Sequence, residues 1–86
     1  MYWKNGDKYE GDWRNGNREG KGIHYFNKEP WKGDRYEGDW RNDKKEGKGI
    51  YYYKNGNREM GDWKDGKEKG KHVKLCENGE VKTENY

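Results

Sequence analysis

The chain has 86 residues, 20 Lys and Arg against 17 Asp and Glu, and a formal net charge of +3. That length allows one small domain, and signs that alternate along the chain leave no basic block to follow nucleic-acid phosphates, so nucleic acid is not an expected partner. A lone cysteine, Cys76, excludes an internal disulfide, no apolar run approaches the ~18 residues of a membrane-spanning helix, and Met1–Tyr9 holds no signal-peptide core; the expected location is the cytoplasm, with apposition to a membrane allowed.

Leu, Ile, Val and Phe are reduced to Leu75, Ile23, Ile50, Val73, Val81 and Phe26, and Ala, Ser and Gln are absent. Such a composition by itself describes a disordered chain. Five Trp and eight Tyr, recurring at fixed places, argue otherwise. Each can bury roughly 150–250 Å², enough for a thin aromatic core.

The pattern is a repeat. Trp13, Trp40 and Trp63 hold the same place in three copies, spaced 27 and then 23 residues, as do the glycine pairs Gly11/Gly20, Gly38/Gly47 and Gly61/Gly70. A fixed period of this size marks units that cover their apolar face by stacking on neighbours. In chain order, Tyr2 and Trp3 match Tyr52 and Tyr53, and Asn5-Gly6 matches Asn55-Gly56, so the chain opens on the second strand of a partial repeat over 1–7. The first full repeat, with a longer linker, occupies 8–34. In Tyr9-Glu10-Gly11-Asp12-Trp13 the rings and glycine share one face and the acids the other, the period of a strand. Asn15-Gly16 suits a tight primed turn, and a second strand follows from Arg18 to Phe26. A two-residue turn sets Gly11 opposite Gly20, Glu10 opposite Lys21 and Tyr9 opposite Gly22, with Tyr9 covering the bare glycine; it also sets Asp12 against Glu19. The linker 27–34 carries Pro30 and Trp31 and reads as a bulged loop.

The second repeat, 35–57, keeps Tyr36 with Gly49 and Glu37 with Lys48. In the third, 58–80, Glu59 replaces the tyrosine and His72 the glycine, a joint change that supports their pairing. Lys74 and Cys76 stand where the others have aromatics, which reads as a polar cap. Asn78-Gly79 leads to a frayed strand around 80–83, and a C-terminal tail occupies 81–86. The expectation is one all-β domain over 1–86, built of consecutive antiparallel hairpins.

The runs YEGDWRNGNREGKG and YEGDWRNDKKEGKG resemble the MORN repeat (membrane occupation and recognition nexus), whose pattern is Tyr-x-Gly-x-Trp, then Gly-x-Gly, an aromatic pair and a turn glycine. The resemblance covers Tyr2 to Gly79. It implies an elongated, twisted ribbon of hairpins that scaffolds, dimerises, or sits beside a catalytic domain, as in SET-class histone methyltransferases and plant phosphoinositide kinases, with an association to anionic lipid in some members. The chain departs from the pattern in its linker insertion and at Asn42-Asp43, Glu59 and His72. A weaker second resemblance, to choline-binding repeats of bacterial wall proteins, implies a groove of rings for choline or a sugar.

Candidate site residues were weighed on the same residues. Cys76, Thr83, His24 and His72 lie far apart in sequence with no carboxylate orienter beside either histidine, so no catalytic residues, cofactor or metal site are expected. Tyr9, Trp13, Tyr36, Trp40 and Trp63, with Gly11, Gly20, Gly22, Gly38, Gly47, Gly49, Gly61 and Gly70, are assigned to structure. Tyr51 and Tyr53 belong to the same aromatic column, packed or open to a ligand. Tyr25 and Tyr52, interleaved with Lys21 and Lys48 on the other face, form a candidate strip for protein or lipid, and Trp31 is a candidate anchor. A protein partner or self-association leads as the expected function; an anionic membrane surface is the rival, and a small-molecule ligand the third reading.

Overall fold

The computed structural model describes Tyr2, Trp3 and residues 6–86. Seven strands follow one another: β1 Lys8–Arg14, β2 Asn17–Tyr25, β3 Arg35–Arg41, β4 Lys44–Tyr52, β5 Arg58–Lys64, β6 Lys67–Leu75 and β7 Val81–Asn85. They pair in sequence order, each antiparallel to the next, in a single sheet of about 39 × 25 × 16 Å. This is the expected all-β ribbon of hairpins. Before β1, Tyr2 bridges to Lys8, and the bonds Trp3 N–H to Asp7 O (2.9 Å) and Gly6 N–H to Trp3 O (2.9 Å) repeat at Tyr53/Asn57/Gly56 and at Cys76/Glu80/Gly79. The expected alignment of Tyr2-Trp3 with Tyr52-Tyr53 therefore holds in the backbone; the Asn5 half of the Asn5-Gly6 turn lies outside the described residues.

The three hairpin tips are two-residue turns with both central residues at positive φ: Asn15 and Gly16 (51° and 80°), Asn42 and Asp43 (48° and 69°), Asp65 and Gly66 (51° and 85°). The expected register holds beside the turn, where Arg14 faces Asn17 and Trp13 faces Arg18. Beyond it the register is corrected. Gly11 faces Gly22, Glu10 faces Ile23 and Tyr9 faces His24, because β2 carries two additional residues opposite Asp12. Gly20 makes the bulge: its φ of 76° is open to glycine, and a Cβ there would meet the Asp12 carboxylate at 2.9 Å. Gly47 and Gly70 repeat that positive φ. The bulge also removes the expected clash of Asp12 with Glu19, since Asp12 Oδ2 instead accepts from the Lys21 N–H at 3.3 Å.

The corrected register keeps the ring-over-glycine packing, now on the diagonal. A Cβ on Gly22 would land on the Tyr9 phenol, and one on Gly49 on the Tyr36 phenol. Tyr9, Tyr36, Trp40 and Trp63 form the buried core, with Trp3, Phe26 and Tyr51 packed against it. Each tyrosine meets tryptophans edge-on: Tyr9 and Trp40 at 5.5 Å, Tyr36 and Trp40 at 5.3 Å, Tyr36 and Trp63 at 5.0 Å between centroids. The rings of one hairpin thus rest on the next, and Trp40 Nε1 donates to Gly22 O across that junction (3.1 Å). Trp13, assigned to the same column, caps Tyr9 (4.9 Å) but remains 38% exposed on the outermost hairpin. In the third copy His72 fills the place under the lost tyrosine; its Nδ1 lies 2.8 Å from Glu59 Oε2 without hydrogen-bond alignment, and its Nε2 lies 2.7 Å from Asp62 O. β7, expected to fray, pairs with β6 from Val81 to Asn85.

Candidate interaction surface

All the large rings of the core lie on one face, so the other face is built from what alternates with them. It carries three rows that cross the strands. The first runs Lys8, Tyr25, Arg35, Tyr52, Arg58 and Leu75, directly paired from β1 to β6. It holds three cations and no acid. Arg35 stacks on Tyr52 at 3.9 Å, and Lys8 lies 5.6 Å from the Tyr25 ring, geometries in which aromatic faces attract cations. The second row, Glu10, Ile23, Glu37, Ile50, Met60 and Val73, alternates acid with aliphatic before ending apolar. In the third, Lys21 binds Asp39 (Nζ to Oδ1 3.0 Å) and Lys48 faces Asp62. Between the second and third rows runs a line of paired glycines, Gly11, Gly22, Gly38, Gly49 and Gly61. A Cβ on any of these glycines would enter the ring face, under Tyr9, Tyr36 or His72; on this face their backbone floors an open groove of about 770 Å³, lined by Glu10, Ile23, Glu37, Ile50, Met60, Lys21, Asp39 and Lys48 among others.

The expected binding residues therefore divide between two faces. Tyr25, Tyr52, Lys21 and Lys48 come together on the groove face. Tyr51, Tyr53 and Trp31 line a separate hollow of about 230 Å³ on the ring face, with Asp34, Lys45, Glu59, Trp63 and Glu68. Trp31 is 51% exposed at its rim. Lys45 sets its ammonium 5.0 Å from the Tyr36 ring and 5.4 Å from Tyr51, so the chain's own cation occupies the ring faces nearest that wall. Burial pushes the Lys45 ammonium down and the Glu68 charge opposes it. Tyr53 is pushed up to about 12, by burial and then by the Glu59 carboxylate its hydroxyl bonds at 3.3 Å.

Both histidines, with no carboxylate orienter beside them in sequence, meet carboxylates in space. His24 is stacked against Trp3 (5.0 Å) and Phe26 (4.3 Å). Its Nε2 lies 3.0 Å from Asp7 Oδ2 and its Nδ1 2.9 Å from an Arg18 guanidinium nitrogen. Arginine can only donate and a carboxylate only accept, which assigns the neutral tautomer with the proton on Nε2. Burial lowers its pKa, Arg18 adds to that, and the Asp7 bond works against it. Among the described residues neither histidine faces Cys76 or Thr83. Thr83 is on the opposite face from His72, and Cys76 is four residues along the same strand direction, about 13 Å at extended spacing. Among the described residues no group of three His, Cys, Asp or Glu is arranged to hold a metal.

Three features escaped the sequence reading. Arg18 lies 4.2 Å from the Trp40 ring and binds the Asp43 turn through Nε to Oδ1 and a guanidinium nitrogen to the carbonyl, each at 2.7 Å. Asp7, Asp34 and Asn57 each accept the N–H of the residue 20 further on, Asn27, Lys54 and Glu77 (2.8–2.9 Å), tying junction to junction. Glu19 and Glu46 accept from the next hairpin's tip, at Asn42 and Asp65 (3.0 and 3.1 Å). The signal was a Gly-Asp or Gly-Asn placed before each basic strand start, legible as a repeat though not as a contact.

A single-layer antiparallel sheet of consecutive hairpins, cored on one face and grooved on the other, defines a β-hairpin repeat protein. The family model for the MORN repeat matches residues 9–28, 36–58 and 60–81, most of the chain, and the chain belongs to that family. MORN repeats are non-catalytic modules that generally mediate protein or membrane interactions. No curated protein matches the chain.

Proposed function

We propose that the chain is a non-catalytic docking module that holds an extended protein segment in the glycine-floored groove. The observation that carries this reading is the half-buried row Ile23, Ile50 and Met60, which lines the groove and continues to Val73 on β6. The row crosses six strands, roughly 24 Å at the spacing between strands, a span that about seven extended residues cover. Glu37 favours a basic side chain along the aliphatic row, Arg35 and Arg58 favour acidic ones at its margin, and Lys8 and Glu10 already pair with each other at 3.1 Å. Lys21 and Lys48 add polar contacts on the far side, and Tyr25 and Tyr52 supply rigid rings.

The test is selection from a displayed library of linear peptides, followed by mapping of amide shift changes. Changes centred on Ile23, Ile50 and Met60, lost in Ile50→Glu, support the reading. Selected peptides that map to Tyr51, Tyr53 and Trp31, or a library that yields none, defeat it.

A second reading is favoured by one observation, the acid-free row of Lys8, Arg35 and Arg58 interleaved with tyrosines. Such a strip suits the surface of an anionic membrane, at ~1 kcal/mol per basic residue and within a Debye length. Sedimentation with phosphatidylserine vesicles at low salt, abolished in Arg35→Glu/Arg58→Glu, supports it; equal sedimentation of that variant counts against it.

A further inference from the structure

Two departures from the repeat meet on the ring face. Trp31 comes from the lengthened linker, and Glu59 stands on β5 where Tyr9 and Tyr36 stand on β1 and β3. Both line the hollow of about 230 Å³, with Tyr51, Tyr53 and Trp63. Tyr51 and Tyr53 reach it together because they are two residues apart, and their rings meet at 4.8 Å with 53° between the planes.

Each of these phenols donates to a carboxylate: Tyr51 to Asp34 Oδ2 at 2.8 Å and Tyr53 to Glu59 Oε1 at 3.3 Å. A phenol bonded to an anion has a more electron-rich ring, which strengthens its attraction for a cation. Glu59 is offset within the chain by His72 and Lys74, at 2.8 and 3.8 Å. Asp34 is not. It is 8% exposed, and among the described residues no cation comes within ion-pair distance of it. Glu68 adds an exposed carboxylate to the lining. Lys45, the cation of the lining, lies 5.9, 5.0 and 5.4 Å from the Phe26, Tyr36 and Tyr51 rings. Among the described residues no cation of the chain lies over Trp31, Tyr53 or Trp63.

The kind of cation follows from the hydrogen bonds already made. Asp34 accepts from the Tyr51 hydroxyl and the Lys54 N–H, and Glu59 from the Tyr53 and Tyr86 hydroxyls. A plain ammonium carries three donors and strong hydration, and it would exchange its water for a lining of mostly ring surface. A fully methylated ammonium has no donors to satisfy and presents methyl groups that pack on ring faces while the charge is retained.

We propose that this hollow binds a trimethylammonium group, carried by choline or by a methylated lysine. It lies on the face opposite the groove, so it stands or falls separately from the docking reading.

The test is titration of choline into the full 86-residue chain, followed by amide and indole shift changes. Saturable changes at Trp31, Tyr51, Tyr53 and Trp63 are expected, with a Kd on the order of 1 mM. The neutral tert-butyl analogue of choline, in which carbon replaces nitrogen, should bind about tenfold more weakly or not at all, as should an unmethylated lysine amide. Trp31→Leu, at a residue 51% exposed, should leave the spectrum of the sheet unchanged and lower the affinity severalfold. Lys45→Met keeps the stem, removes a like charge from the lining, and should raise the affinity. A trimethyl-lysine amide that outbinds choline places the group on a protein tail, and the reverse ranking places it on a small molecule; both outcomes support the site. No saturable change up to about 100 mM choline, equal affinity for the neutral analogue, or changes confined to Ile23, Ile50 and Met60 would overturn the proposal.

Discussion

Tyr36 and Gly49 show how single residues set this fold. The phenol lies where a Cβ on Gly49 would be, so the glycine is required by the ring and not by its own backbone angle. Gly49→Ala forces the ring aside and is expected to cost about 1–3 kcal/mol, the usual cost of overpacking, read from urea unfolding. Tyr36→Leu in the same chain should recover part of that loss, because the phenol is the obstacle. His24 gives a pH prediction with a definite sign. Burial, and secondarily Arg18, hold its pKa below the ordinary value, so near pH 6 the unfolded chain binds more protons than the folded one. Stability is then full above about pH 6.5 and falls as pH drops through and below that value. Thermal unfolding between pH 5 and 8 checks this: His24→Phe, which keeps the ring stacking, should lessen the fall, and an unchanged slope would show that other groups dominate. The tyrosine-over-glycine pairing was legible in the sequence because both partners recur and change together at Glu59 and His72. The Asp7–His24–Arg18 cluster was not, because its members are 6 to 17 residues apart and meet only once the bulge has set the register.

At the scale of the hairpin, the second turn is the informative one. Asn42-Asp43 takes two positive-φ positions without a glycine, and a side chain other than Asn, Asp or Gly is strained there. Arg18 of the preceding hairpin holds Asp43 through its side chain and carbonyl. Burial works to raise the Asp43 pKa, but the Arg18 bonds and charge outweigh it and hold the carboxyl below the ordinary range. Asp43→Ala loses the two bonds to Oδ1, from the Arg18 N–H and Nε, keeps the carbonyl bond and the strained angle, and is expected to cost about 1–3 kcal/mol. Arg18→Met, which keeps the stem over Trp40, should cost less than Arg18→Ala; equal losses would mean that packing contributes little. Hairpins, turn positions and strand faces were all readable from period two and from Asn-Gly. The bulge was hidden, since Gly20 reads equally well as a strand residue facing Gly11 and as an opened one. Two additional residues on β2 keep every side chain on its expected face while moving every partner beyond the bulge, which is why the faces were right and the pairs away from the turn were wrong.

For the whole molecule, the consequence is a sheet with two unlike faces. Rings from successive hairpins share one core over a line of glycines, so each unit is stabilised through its neighbours, and the opposite face is left with aliphatic side chains and ordered charge. The family and the ribbon were legible because the Tyr-x-Gly-x-Trp motif recurs three times. The groove was not, since a row such as Glu10, Ile23, Glu37, Ile50, Met60 and Val73 draws on six strands and exists only through register. This two-faced sheet is tested most directly by proton NMR of the free chain. With rings seated on the backbone, the Gly22 and Gly49 Hα resonances should move strongly upfield and show Overhauser contacts to Tyr9 and Tyr36, while Ile23, Ile50 and Met60 methyls show no contact to those rings. Glycine resonances at random-coil positions, or methyl contacts to the Tyr9 and Tyr36 rings, would contradict it.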